Sequence, residues 1–244
     1  MPAAPLFDYA GLAWRLVEAQ HVVSTLKLVE SLAEQAVLED ILEAAKPPMP
    51  EPCAHLHYLL STPFRYRPYP HGSRFRRAGL TPGVWYGAER VETSVAELAF
   101  YRALFYAESP TIPFPVSSAA HTAFAVPLAT GAMADTTRPP LDTRATDWTD
   151  PVDYAPCQAL AEEVRAAGGD LIRYASVRDP DGGAALAVLT CAVFAATEPQ
   201  ETQSWQLRIS RGGVIAVRDF PRAMLAFSPG AFADPRLEGM IWDR

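Results

Sequence analysis

The chain has 244 residues, 49% of them hydrophobic and 20% charged, and its 28 acidic and 21 basic side chains give a net charge of −7. That length fits one domain with a modest extension, and that balance excludes a globally disordered chain. No apolar run approaches the roughly 20 residues needed to cross a bilayer. Met1 to Asp8 has neither the basic start nor the apolar stretch of a secretory leader, so a soluble cytoplasmic protein without membrane contact is expected.

In chain order, residues from about Tyr9 to Lys46 are predicted to be helical, with a break near His21 to Ser24. Val22, Leu26, Val29, Ala33, Val37 and Ile41 recur at steps of three and four, with Lys27, Glu30, Glu34 and Glu39 off that stripe. The apolar stripe needs a cover, so this extension is expected to pack against the rest. Lys46-Pro-Pro-Met-Pro-Glu-Pro52 then acts as a stiff connector. The first 60 residues therefore read as a helical N-terminal extension with its connector, and 61–244 as one domain.

Within that domain, Val84-Trp-Tyr86 is a short strand after Thr81-Pro-Gly83, and Glu92 to Ala107 is a helix. Ser109 to Pro156 is rich in Pro, Thr and Asp; it reads as mobile, irregular chain with one strand, Thr122 to Val126. Gln158 to Ala167 forms a helix stopped by Gly168-Gly169. Leu171 to Ser176, Ala185 to Thr190, Ser204 to Ile209 and Val214 to Phe220 read as strands, the last two joined as a hairpin through Arg211-Gly-Gly213. Without a regular βαβ alternation, the expected class is α+β around a mixed or largely antiparallel sheet with flanking helices.

Cys53, Cys157 and Cys191 are odd in number and far apart, which predicts buried unpaired thiols and agrees with a reducing compartment. The five histidines show no metal-ligand spacing, so no metal is expected. Neither a GxxxxGK[ST] loop nor a GxSxG elbow occurs, which removes the main support for P-loop NTPases and common serine hydrolases.

Charge is unevenly placed. From Pro52 through Ala88 there is no Asp or Glu, yet Arg65, Arg67, Arg74, Arg76 and Arg77 fall there with Phe64, Tyr66, Tyr69, Phe75, Trp85 and Tyr86. A run of basic residues is commonly just a solvated face. Interleaved aromatics alter that reading, because arginine suits phosphate oxygens and an aromatic ring suits a base or pyridine. The net negative charge opposes a long polyanion more than one dinucleotide, so no nucleic acid is expected.

Arg74, Tyr86 and Glu97 form a candidate site, since the strand carrying Tyr86 leads into the helix carrying Glu97. Arginine would neutralise a pyrophosphate, tyrosine would stack on nicotinamide, and a carboxylate would stabilise the oxocarbenium-like transition state of N-glycosidic cleavage. Each residue also has a plain structural role open to it, and Glu89, Glu92 and Glu108 compete for the carboxylate.

At these residues the sequence resembles the RES domain family. The resemblance rests on Pro63-Phe-Arg-Tyr-Arg67, Gly72-Ser-Arg-Phe-Arg-Arg-Ala-Gly79, Val84-Trp-Tyr-Gly-Ala88, Thr93-Ser-Val-Ala-Glu97 and Tyr174-Ala-Ser-Val-Arg-Asp179, in that order. It covers about Ser61 to Phe220, and the extension resembles the ParT-like branch. It implies a fold similar to ADP-ribosyltransferase toxins, NAD as substrate, and a place as toxin in a bacterial toxin–antitoxin pair of the Xre–RES type. Members degrade NAD or transfer its ADP-ribose to a protein; phosphoribosyl-pyrophosphate synthetase is the target that kinship implies. By the same resemblance a cognate antitoxin would block the cleft.

Residue by residue, the resemblance implies catalytic roles for Arg74, Tyr86, Glu97 and Ser176, and NAD contacts from Arg67, Tyr66 and Arg76. Arg76 stands where the family usually has asparagine, and a shifted alignment would move the arginine's role from Arg74 to Arg76. A glycohydrolase or phosphorylase that depletes NAD, and a non-enzymatic nucleotide-binding module, are the alternatives. Glu97 facing solvent away from the arginines would favour the last.

Overall fold

Alternation rather than helical periodicity governs the start of the chain: Phe7–Glu18 forms strand β1. The computed structural model describes residues 5–19, 28–66, 70–79 and 81–243. Phe7, Tyr9 and Trp14 favour a pleated surface over a helix, and Gly11 disfavours a helix interior. The predicted break near His21 to Ser24 lies outside the described residues. Helix α1 follows at Leu32–Ala44. Its first turn is capped by Ser31, whose hydroxyl accepts the Glu34 N–H, while the Glu34 carboxylate accepts the Glu30 N–H at 2.9 Å. The helix expected from Tyr9 to Lys46 is thus corrected: its start, through Glu18, is sheet.

The expected packing of the extension also needs correction. β1 joins the domain, but no α1 residue is buried, and Leu32, Val37 and Ile41 stay exposed. What ties this end of α1 down is Arg65, which pairs with Glu43 at 2.6 Å and donates to the Pro47 carbonyl. Arg65 closes helix α2, Tyr58–Arg65, which the sequence reading missed.

Strand β2, Trp85–Ala88, leads through two residues into helix α3, Val91–Glu108, close to the predicted bounds. The strand expected at Thr122 to Val126 is present but longer, the 17-residue β3, Ala119–Asp135, and the rest of the stretch expected to be irregular also holds helix α4, Ala145–Thr149. Alanine, glycine and Pro127 hide the rest of β3 from propensity; strand pairing makes it. Between its pairings with later strands, β3 has only an isolated bridge, Leu128 to Phe194, opposite its β1 side, so a proline there interrupts no full ladder.

Helix α5, Ala155–Ala166, ends at Gly168, whose φ of +80° is the left-handed stop expected. The remaining strands are β4 Leu171–Ala175, β5 Ala184–Val188, β6 Glu201–Ser210, β7 Gly213–Arg218 and β8 Ala223–Phe227; only β8 was unforeseen.

The strands run in the order β1-β2-β5-β4-β3-β6-β7-β8, and β1 also pairs with β3. Five strands therefore close a circuit, from which β6 to β8 extend. β3 with β4 is the parallel pair in an otherwise antiparallel sheet. Mixed α+β architecture with flanking helices is thus observed.

Trp85, Phe124, Val126, Leu171, Leu186 and Val188 pack together as one core. Val95, Phe100, Trp205 and Val214 join α3 to β6 and β7, while Cys157, Leu160 and Val164 of α5 pack with Ile172 and Tyr174. Each cluster removes apolar surface from water, the main favourable term in folding. Cys53 and Cys191 form a disulfide with Cα atoms 5.5 Å apart, which corrects the expectation of three unpaired thiols. Cysteine usage therefore gives no argument for a reducing compartment; Cys157 alone is free and buried. No described helix is long and apolar enough to cross a membrane.

Candidate functional site

The short β2–α3 link sets Tyr86 and Glu97 on one side of the sheet. At Gly87 a Cβ atom would come within 2.9 Å of the Trp14 carbonyl and nearer still to the Trp85 ring, so only glycine lets β2 lie this close to β1. Before β2, residues 73–76 form a tight turn in which Ser73 and Arg76 exchange backbone hydrogen bonds of 2.8 and 3.2 Å. The Tyr86 hydroxyl holds this turn from outside, accepting the Phe75 N–H at 3.0 Å and bonding the Ser73 hydroxyl at 2.8 Å.

That turn points Arg74 and Arg76 in different directions. Arg74 is only 9% exposed, donates to the Trp148 carbonyl at 2.9 Å, and stacks 4.7 Å over the Tyr154 ring. Arg76 donates to the His71 carbonyl and does not line the cleft. Of the two arginines weighed from the sequence, Arg74 is the one brought to Tyr86 and Glu97.

Ser176 follows β4 and donates to the Glu97 carboxylate at 2.6 Å. Its oxygen accepts the N–H groups of Arg178 and Asp179 at 3.2 and 3.1 Å. Two acceptor sites filled leave its one proton for Glu97, so the backbone contact and the Glu97 contact coexist. Asp179 fastens this loop to the start of α3, accepting from Thr93 at 2.7 Å, Gly183 N–H at 3.1 Å and Arg90 at 3.3 Å. A carboxylate there also complements the positive end of the helix.

Arg74, Tyr86 and Glu97 line a cleft of about 330 Å³; Ser176 is not in its wall and reaches it through Glu97. The sequence reading missed two further cations there, Arg15 of β1 and Arg178. Arg178 stood in plain view two residues after Ser176; Arg15 was hidden by the helical assignment of its strand. Arg15 lies 5.5 Å over Trp85, and its Nη1 is a buried donor without a hydrogen-bond partner. Burial pulls its pKa down to about 10, which leaves it charged at neutral pH.

Arg15 also borders an adjoining hollow of about 600 Å³, with Lys46, Tyr58, Arg65 and Tyr66 in its wall. Tyr66 thus belongs to that hollow, not to the cleft. Arg67 lies outside the described residues.

Electrostatically the cleft combines arginines, protonated tyrosines and one carboxyl. Burial pushes Glu97 above the usual carboxylate range, against the Ser176 hydrogen bond and the charges of Arg178 and Arg74; Asp179 adds to the rise. Burial likewise pushes up Tyr86, Tyr101 and Tyr174. The competing carboxylates sit elsewhere. Glu89 takes both arms of Arg173 at 2.7 and 3.0 Å, and Glu92 and Glu108 are exposed outside the cleft. Among the described residues no cluster of His, Cys, Asp and Glu is arranged to hold a metal ion. Such a set can bind an anionic, ring-bearing ligand and hold a carboxylate against a developing cation.

No curated protein matches the chain. One similar solved structure is the crystal structure of the M. tuberculosis MbcT–MbcA toxin–antitoxin complex. It is 14% identical, with a TM-score of 0.46, over 81% of this chain and 85% of that chain. The RES domain model matches residues 50–210. That match runs from the turn before α2 to the end of β6, more than half of the sequence, and the chain therefore belongs to the RES domain family.

Proposed function

We propose that this chain is the toxin of a toxin–antitoxin pair and acts as an NAD-dependent mono-ADP-ribosyltransferase. The observation that carries the reading is the Ser176–Glu97 hydrogen bond of 2.6 Å, set at a cleft lined by Glu97, Tyr86 and Arg74. A carboxylate oriented by a hydroxyl whose other sites are filled is preorganised for a cation that exists only in the transition state. Family membership supports NAD as the substrate.

In this reading Tyr86 stacks on nicotinamide, and Arg74 and Arg15 face the pyrophosphate. The bond between nicotinamide N1 and ribose C1′ breaks, its electron pair leaves with neutral nicotinamide, and Glu97 stabilises the oxocarbenium-like ribose. An acceptor nucleophile then bonds to C1′ and releases its proton. A cleft of about 330 Å³ falls within the range of roughly 300–1,000 Å³ common to small-molecule sites. The hollow beyond Arg15 gives the rest of a dinucleotide somewhere to lie, with Tyr66 in its wall and Arg67 next in sequence.

The acceptor is a protein, with phosphoribosyl-pyrophosphate synthetase the target implied by kinship to the ParT-like branch. A cognate antitoxin that covers the cleft is the expected partner. Purified protein incubated with labelled NAD and cell lysate should release nicotinamide and label a protein. Nicotinamide release with no labelled protein points to water or phosphate as acceptor, hence an NAD-depleting enzyme. No release at all returns the site to a binding module.

A further inference from the structure

The cation nearest the Ser176 turn is held from a distant part of the chain. Arg178 and Asp234 form a buried ion pair, their side chains 3% and 0% exposed. Asp234 lies beyond the segment that matches the family, in the C-terminal stretch after β8. The same Arg178 guanidinium donates to the Pro151 carbonyl and, at 3.3 Å, to the Tyr154 hydroxyl. Its Cζ lies 4.0 Å from the centroid of the Phe100 ring, one turn of α3 beyond Glu97.

Arg236 completes the arrangement. It donates to both Asp234 oxygens, at 3.0 and 2.8 Å, and to Pro151 at 3.1 Å, and lies 5.4 Å from the same Phe100 ring. Burial would raise the Asp234 carboxyl, but hydrogen bonds from Arg236 and the charge of Arg178 bring it below its ordinary value. Asp234 therefore stays ionised and tethers two arginines. Only Arg178 of the two reaches the cleft wall.

A buried ion pair is a weak device for stability, because desolvation cancels much of the attraction. Its geometry is what the fold gains. With Asp234 in place, Arg178 has one setting, beside the turn that orients Ser176 toward Glu97. We propose that Asp234 is a positioning residue of the cleft, which fixes Arg178 for the negatively charged ligand and makes the C-terminal segment a working part of the site. The inference rests on the NAD reading above.

The test compares the full-length wild type with Asp234→Asn, Asp234→Glu, Arg178→Gln and the double variant Arg178→Gln/Asp234→Asn. The readouts are NAD turnover, its pH dependence and thermal melting. Asp234→Asn should raise KM for NAD roughly tenfold with a smaller change in kcat, the scale of one charged hydrogen bond loosened. Asp234→Glu keeps the charge on a longer arm and should fall between.

In Asp234→Asn the acid limb of kcat should move to higher pH, since Arg178 lowers the pKa of Glu97. The other groups that face Glu97 are Ser176, Arg74, Asp179, Tyr101 and Tyr174, and all remain. The double variant removes both members of the buried pair and should match Arg178→Gln in KM, because Asp234 acts on the cleft only through Arg178; Arg236, which also loses its carboxylate, keeps its Pro151 contact outside the cleft wall. A merely structural role would shift melting without moving the acid limb.

Should Asp234→Asn unfold, Asp234→Glu carries the same comparison. Wild-type KM and acid limb in a folded Asp234 variant overturn the inference and leave the NAD reading standing. A double variant clearly worse in KM than Arg178→Gln overturns it too. A wild type that does not act on NAD overturns both.

Discussion

Two sets of residues at the cleft rest on different physics. The stretch from Ser73 to Glu97 is pinned by short hydroxyl contacts: the Tyr86 hydroxyl on Phe75 and Ser73, and Ser176 on Glu97. The other lining residues bring charge: Arg178 held by Asp234, and Arg15, whose Nη1 finds no partner. Hydrogen bonds that are satisfied hold atoms in place at modest net energy. Buried charges cost stability and give strength toward a ligand of opposite sign. The hydroxyl contacts therefore hold groups in position, and the arginines supply charge for an anion.

The comparison is tested most severely at Glu97. Glu97→Gln keeps the shape and can still meet the Ser176 hydroxyl, but it removes the charge. If the Ser176 hydroxyl orients that charge for the chemistry, NAD turnover should fall by roughly 10²–10³, the scale of losing one preorganised electrostatic contact. NAD binding, measured by calorimetry, should persist. Near-normal turnover would reject Glu97 as the carboxylate.

Arg15→Gln probes the arginines. Its unpartnered Nη1 is a donor waiting for an acceptor. Losing it should raise KM for NAD about tenfold while kcat changes little, because a phosphate contact is made in both ground and transition states. Thermal stability should hold or rise, since a buried unpaired charge disappears with it. A fall in kcat with KM unchanged would mean that this arginine takes part in the chemistry as well.

How much of this could be read in advance divides along the same line. Ser73 to Glu97 is one local run of turn, strand and helix, so the order of residues announced that Arg74, Tyr86 and Glu97 could meet. Arg15 and Asp234 reach the site through long-range pairing. Arg15 was hidden because Val22 to Ile41 carry a helical stripe that was extended back over a strand. The strand expected at Thr122 to Val126 is the centre of β3, and the rest of its length was missed for a related reason: alanine and glycine say little until β1 and β6 lie beside them. The Cys53–Cys191 pair spans 138 residues of sequence, which spacing rules do not bridge.

A smaller effect is expected at Tyr86, where the ring and the hydroxyl separate. Tyr86→Phe keeps the ring for stacking and leaves the Phe75 N–H without its partner at 3.0 Å. Stability should drop by about 1–3 kcal/mol in chemical denaturation, the range for an orphaned buried donor. Turnover should fall less than in Tyr86→Ala, which also removes the ring. Equal loss in both would shift the hydroxyl from scaffold to chemistry.

The finest distinction is in the pH dependence of stability, again at Glu97. Its folded pKa is raised above the ordinary 4.5, mainly by burial. A raised folded pKa means that the folded state holds the proton more tightly than the unfolded chain does. Below pH 4.5 both states are protonated and the native protein bears no penalty. As pH climbs through the folded value, the native state must ionise a carboxyl withdrawn from water, and stability declines. Glu97→Gln never ionises. Its melting temperature should match the wild type near pH 4 and exceed it at pH 7 to 8, while its activity is poor. Ser176 and the two arginines reduce this penalty without removing it. A Glu97→Gln protein less stable than wild type at pH 8 would show that they overcome burial, and that Glu97 is held in position by charge after all.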